Sequence, residues 1–172
     1  ALAVEALQRR VGRRTILDEI DLSVAWGESV ALLGANGAGK STLIRTILDL
    51  RASHGGRVAL AERANTDRSA RSSVAYLPER FQAPTYMRGR VFLDYMLALY
   101  GGAGSSPAGH ETAASLGLDA GQLDQPIATY SKGMSQQLGL AACIGSQRPI
   151  LILDEPMDGL DPAARVRLRD AL

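Results

Sequence analysis

One cysteine, Cys143, stands alone in 172 residues, so no disulfide can staple the chain to itself, which fits a reducing compartment. No stretch approaches the ~18 consecutive apolar residues of a membrane-spanning helix. The opening Ala1-Leu2-Ala3-Val4-Glu5 has neither an initiator Met nor a charged segment leading into a long apolar run. No signal peptide is expected there. The chain also stops inside a helix-like pattern, and a fragment of a longer protein is the expectation. An excess of one charge is missing as well: the formal net charge is +1, too little for a field that would gather nucleic acid or acidic lipid. No direct nucleic-acid partner is expected. With 46% hydrophobic and 22% charged residues, the composition excludes a disordered, collagen-like or coiled-coil chain. The length suits about one domain.

Lysine is scarce. Of 19 basic side chains only two, Lys40 and Lys132, are not arginine. Where an ordinary surface cation stands, the sequence writes Arg. The two lysines are therefore candidates for sites that use a compact ammonium on a flexible stem.

The apolar pattern sets the organisation. Ile20, Leu22 and Val24 alternate with polar residues as in a half-buried strand, and Trp26-Gly27-Glu28 reads as a turn. Residues 29–33 form a continuous apolar run, expected as a strand buried on both faces. Leu43, Ile44, Ile47, Leu48 and Leu50 recur at helical spacing. Short strands are expected at 56–60, 73–77 and 150–153. Helices are expected at 91–100, 111–118 and 131–146, with a Gly/Ser/Pro loop at 101–109 and a last helix opened by Pro162. Strand–loop–helix units flanking a helical insert of roughly 60 residues argue for an α/β fold with a mostly parallel sheet.

Three motifs carry chemistry. Gly34-Ala35-Asn36-Gly37-Ala38-Gly39-Lys40-Ser41-Thr42 matches the Gly-x-x-x-x-Gly-Lys-Ser pattern of a phosphate-binding loop. Small residues let the backbone wrap a polyphosphate with its N–H groups turned inward, and the helix that follows adds a positive N-terminus. Lys40 would reach the β- and γ-phosphates, Ser41 would ligate Mg²⁺ and Thr42 would bond the α-phosphate. The plainer reading is a Gly-rich turn, but the flanking strand and helix patterns favour the loop. Leu151-Ile152-Leu153-Asp154-Glu155-Pro156 reads as a buried strand ending in two carboxylates, at the edge where open α/β sheets bind ligands. Asp154 would hold Mg²⁺ and Glu155 would orient or deprotonate the attacking water. Alone, the same residues would also make a solvated turn. Tyr130-Ser131-Lys132-Gly133-Met134-Ser135-Gln136-Gln137 opens a helix with Ser131 as a natural N-cap, and alone it needs no other explanation.

Taken together, these motifs resemble the ATPase subunit of an ABC transporter. Gly34–Thr42 resembles its Walker A, Tyr130–Gln137 its signature, Leu151–Glu155 its Walker B and Gly159-Leu160-Asp161 its D-loop. Lys40 and Ser131 lie 91 positions apart and Asp154 another 23 on, in the family's order. The resemblance implies a P-loop NTPase core (residues 1–78 and 148–172), an N-terminal antiparallel β region and a helical signature subdomain (79–147), together one cassette. It implies ATP and Mg²⁺ as cofactors. It also implies a second cassette bound head-to-tail, Ser131 and Gly133 of each facing the other's ATP, and a transmembrane permease as partner at the cytoplasmic face of the membrane. The Tyr-Ser-Lys-Gly-Met signature and Tyr76-Leu77-Pro78-Glu79 are similar to the branch that drives export.

Some positions depart from the family pattern. The residue expected to meet adenine is Val11, where the family usually has an aromatic. Glu79 occupies the Q-loop position, as a further carboxylate for Mg²⁺ or water, or simply as a solvated loop residue. No histidine follows His110, so the family's switch histidine falls outside this sequence. His54 and His110 read as solvated loop residues, Cys143 as core, and Met157 and Asp158 have no firm reading. Two other functions stay open at this point: an ABC ATPase acting on ribosomes or DNA, and a nucleotide-dependent binding module without turnover.

Overall fold

A computed structural model describes residues 1–35, 37–101 and 107–172. These fall into two compact units, Ala1–Val74 and Ala75–Leu172.

In the first unit, strands β1 (Leu2–Val11), β2 (Arg14–Val24), β3 (Gly55–Leu60) and β4 (Arg63–Ala64) form an antiparallel sheet of order β2-β1-β3-β4. This is the expected N-terminal antiparallel region, although only part of β2 was visible as an alternating pattern. The two-residue turn Gly12-Arg13 joins β1 to β2, with Gly12 at φ 59. Val4, Leu7, Leu17, Val58 and Leu60 are buried, each contributing about 1.5–3 kcal/mol through apolar burial. Helix α1 (Lys40–Ile47) packs on β2 and buries Leu43, Ile44 and Ile47, the helical stripe of the sequence. A short helix, α2 (Arg68–Arg71), is capped by Asp67 accepting from the Ser69 N–H at 2.8 Å.

One element departs from expectation. Residues 29–33 are not a buried strand: among the described residues they pair with neither sheet, and Val30, Leu32 and Leu33 are 49, 42 and 88% exposed. A continuous apolar run reports a demand for cover on both faces. It does not supply the neighbouring strands that hydrogen-bond it. The turn before it is as expected, Gly27 adopting φ 75 and Glu28 accepting from the Ala25 N–H at 2.7 Å.

The second unit is mainly helical. Strands β5 (Val74–Leu77) and β6 (Ile150–Leu153) form a two-stranded parallel sheet. Between them run α3 (Gly89–Leu99), α4 (Pro107–Ser115), α5 (Ala120–Leu123) and α6 (Lys132–Gly145), and α7 (Pro162–Ala171) follows β6. Helix α6 packs against α3 and α4 around a core that includes Leu93, Leu97, Leu116, Leu138, Leu140 and Leu168. Pro107 begins α4 earlier than expected because proline needs no N–H partner in a first helical turn, so the loop expected at 101–109 is shorter at its end. Residues 102–106 of that loop lie outside the described ones. Pro162 opens α7 beside its N-cap Asp161, which accepts from the Ala164 N–H at 2.8 Å.

Candidate functional site

The phosphate-loop residues occupy the turn that leads into α1. Gly37 and Gly39 sit at φ 82 and 102, the left-handed region that side chains with a Cβ rarely adopt. A Cβ on Gly39 would also lie 3.4 Å from Ile16 Cγ2 and from the Ile16 carbonyl. Gly39 is the N-cap of α1, and among the described residues no side chain caps the helix. The first N–H groups of α1, which include those of Lys40, Ser41 and Thr42, are therefore not taken by a capping side chain and point where an anion would sit. Within the loop the Ala38 N–H donates to the Ala35 carbonyl at 3.1 Å. Lys40 folds back on the loop, its Nζ donating to the Gly34 carbonyl at 2.7 Å and reaching the Ala35 carbonyl at 3.4 Å. Asn36, expected among the phosphate-binding residues, lies outside the described residues. Val11 is 58% exposed and closes the β1–β2 hairpin opposite Arg14.

The carboxylates belong to the second unit. Asp154 follows β6, and its N–H donates to the Leu77 carbonyl at 2.9 Å. Because the strands are parallel, the segment Leu77-Pro78-Glu79 and the pair Asp154-Glu155 leave the same sheet edge. Asp154 is 3% exposed, and its Oδ2 is buried with no hydrogen-bond partner among the described residues. A buried carboxylate oxygen in that state calls for an acceptor-seeking ligand, and a divalent cation is the chemistry that suits it. Glu155 is exposed and holds φ 53, a left-handed conformation that a non-glycine residue adopts at a cost. Glu79 is exposed in the turn after β5 and lines a cleft of about 650 Å³ with Phe81, Thr85, Tyr130, Lys132 and Gln136. Among the described residues no three His, Cys, Asp or Glu side chains cluster. A metal held here would take few protein ligands, as Mg²⁺ does when it keeps water and binds phosphate oxygens.

The signature residues begin α6. Ser131 is its N-cap, its Oγ accepting from the Met134 N–H at 3.1 Å. Sequence reasoning missed how tightly this end is joined to residues 156–159. A Cβ on Gly133 would lie 2.9 Å from the Gly159 carbonyl oxygen, and one on Gly159 (φ 74) would lie 2.9 Å from Lys132 Cγ. Lys132 Nζ donates to Asp158 Oδ2 at 2.8 Å, and the buried Gln136 amide donates to the Pro156 carbonyl at 3.3 Å. The hydrogen bond from Lys132 and then its charge hold the Asp158 carboxyl below its usual range. Asp158, which had no reading in the sequence, is thus the partner of Lys132. The scarcity of lysine was the signal that could have found it.

One further expectation changes. His110 is not a solvated loop residue: it lies in α4, 2.8 Å from Asp94 Oδ1 on α3. His54 is an exposed loop residue as expected, its Nδ1 accepting from the Arg10 N–H at 3.3 Å. Cys143 is buried as expected, and burial pushes its thiol up to about 11, away from nucleophilic use.

The family model of the ABC transporter matches residues 17–158. The chain belongs to the ABC transporter family. An uncharacterized ABC transporter ATP-binding protein of Bacillus subtilis (strain 168) is 34% identical over 98% of this chain and 55% of its own length. The aliphatic sulfonates import ATP-binding protein SsuB 1 of Nocardia farcinica is 32% identical over 99% of this chain and 64% of its own. The daunorubicin resistance ATP-binding protein DrrA2 of Streptomyces coeruleorubidus is 35% identical over 96% and 52%. The chain spans about half the length of the first of these curated relatives. Among solved structures, an ATP-binding protein of a putative ABC transporter from Pyrococcus furiosus superposes with TM-score 0.87 at 21% identity, covering 99% of this chain and 82% of that one. A cassette solved as a dimer in a post-hydrolysis state bound to ADP and Pi superposes with TM-score 0.86 at 17% identity, covering 99% and 81%. At those identities the likeness establishes the fold, that of an ABC cassette within the α/β class. Among the described residues of this cassette no helix is long and apolar enough to cross a membrane.

Proposed function

We propose that this chain is the ATP-binding and ATP-hydrolysing part of an ABC exporter, working with a separate membrane-spanning permease at the cytoplasmic face of the membrane. The observation that carries the reading is the loop of left-handed Gly37 and Gly39 leading into a helix without a side-chain cap. Gly34, Gly37, Ala38 and Gly39 give backbone to the triphosphate, and the undescribed Asn36 belongs to the same motif. Lys40 leaves the Gly34 carbonyl and donates to the β- and γ-phosphate oxygens. Thr42 donates to the α-phosphate, and Val11 gives the base apolar contact. Ser41, Asp154 and Glu79 are the proposed metal ligands, the unpartnered Asp154 Oδ2 being the strongest reason among them. Bound Mg²⁺ would supply charge neutralisation at the phosphoryl group.

Catalysis on this reading is placement and charge stabilisation. Glu155 accepts the proton of the attacking water, and Glu79 orients that water. Ser131 and Gly133 serve the nucleotide of a second cassette bound head-to-tail, so that nucleotide closes the dimer and hydrolysis loosens it. The helical subdomain of residues 79–147 is the proposed face for the permease. Export is supported by the Tyr130–Met134 form of the signature and by Tyr76–Glu79. Relatives named for sulfonate and zinc import stand at 32% and 35% identity, so direction needs its own test.

The test uses the full-length protein with its co-expressed permease in vesicles. Phosphate release that depends on Mg²⁺, and transport that runs from the cassette side outward, are expected. Nucleotide binding with no phosphate release would overturn the enzyme reading, and inward transport would overturn export.

A further inference from the structure

We propose that Arg14 is the residue that grips the nucleotide base, its planar guanidinium serving as the stacking surface that Val11 cannot offer. The inference rests on the nucleotide reading above. Its starting point is the sequence Arg9-Arg10-Val11-Gly12-Arg13-Arg14, four arginines around one hairpin turn. None of the four has a carboxylate partner among the described residues.

The hairpin register separates them. Val11 pairs with Arg14 across the two-residue turn, and cross-strand partners share a face. Ile16 is two residues further along β2 and so shares that face too. Ile16 Cγ2 lies 3.4 Å from the Cβ position of Gly39, so this face looks toward the point where the phosphate loop enters α1. Arg14 stands about 7 Å beyond Ile16 along the strand, a separation that its long side chain can span toward a nucleoside attached to phosphates bound at the loop. Arg10 pairs with Thr15 and belongs to the opposite face. Arg9 is tied down by its Nη1, which donates to the Ala52 carbonyl. Arg13 sits in the turn itself. Arg14 alone of the four combines the right face with an exposed side chain that makes no hydrogen bond or ion pair among the described residues.

A guanidinium stacks on any aromatic ring, so this contact reads the presence of a base and not its identity. The cassette therefore binds ATP and GTP alike, and both more tightly than a bare triphosphate.

The experiment titrates the full-length protein with ATP, GTP and inorganic tripolyphosphate, each with Mg²⁺. Arg14→Ala is expected to weaken ATP and GTP by about three- to tenfold more than it weakens tripolyphosphate. Arg14→Lys, which keeps the charge and loses the planar face, is expected to hold tripolyphosphate at the wild-type affinity while ATP falls. Val11→Tyr added to Arg14→Ala is expected to restore the preference for ATP over tripolyphosphate. Equal losses for ATP and tripolyphosphate would reduce Arg14 to a general attractive charge and overturn the proposal, as would no change at all. Failure of wild type to bind either ligand would remove the nucleotide reading along with it.

Discussion

The two units carry their candidate motifs on opposite materials. In residues 1–74 the loop is backbone: two left-handed glycines and a helix start that no side chain caps. In residues 75–172 the work falls to side chains. Ser131 satisfies the start of α6, Gln136 and Lys132 tie it to residues 156–159, and Asp154 is buried with one oxygen unpaired. The same element, a helix N-terminus, is thus left open in one unit and closed in the other. The uncapped end is free for an anion bound by its own loop, and the capped end is held fixed for the nucleotide proposed to come from a second cassette. The difference also marks how each region should respond to substitution: the first through lost binding, the second largely through lost stability or turnover.

The largest effect is expected in the open loop. Lys40→Ala should abolish nucleotide binding, measured by ATP titration, while the melting temperature stays near wild type, because Lys40 bonds only loop carbonyls. An unchanged titration would break the contrast at its first term. Next comes Glu155→Gln, which should leave ATP binding intact and slow phosphate release by about 10²–10⁴-fold in the full-length protein with its permease. Equal turnover would remove Glu155 from proton transfer.

Smaller effects sharpen the other side. Gly133→Ala places a methyl 2.9 Å from the Gly159 carbonyl and should cost about 1–3 kcal/mol in denaturant unfolding. Ser131→Ala removes the cap of α6 and should cost about 1 kcal/mol. A larger loss at Ser131 than at Gly133 would mean that the cap, not the close approach, holds this end.

The smallest effect belongs to the exposed pair Lys132–Asp158. The Asp158 carboxyl is held below the ordinary aspartate value of 3.8, first by the hydrogen bond from Lys132 and then by its charge. A depressed carboxylate contributes stability that is fully present above pH 3.8 and is lost as pH falls through the lower folded value. Lys132→Ala should therefore lower the melting temperature slightly at pH 7 and not at all in strong acid. Its effect should also shrink in high salt, since surface ion pairs are screened.

How much of this was legible in the sequence follows the same division. The phosphate loop could be read because its function lies in residue types that the backbone conformation demands, glycine at Gly37 and Gly39 above all. Helix α6 was legible from its cap and apolar spacing, and Pro162 gave the start of α7. Strand β1 was not, because Glu5, Gln8, Arg9 and Arg10 interrupt its apolar residues and bulges break the alternation. The run at 29–33 was overread, since apolar pattern says nothing about which strands are available to pair. The fastening of Lys132, Gly133 and Gln136 to Pro156, Asp158 and Gly159 joins residues twenty or more positions apart, and no local pattern encodes it.

The most direct measurement is a structure of the full-length chain with Mg²⁺ and a non-hydrolysable ATP analogue. Its phosphates are expected against the amides of Gly37 to Thr42, with Lys40 Nζ moved off the Gly34 carbonyl and onto a phosphate oxygen. A nucleotide bound elsewhere, with Lys40 still on Gly34, would contradict the account.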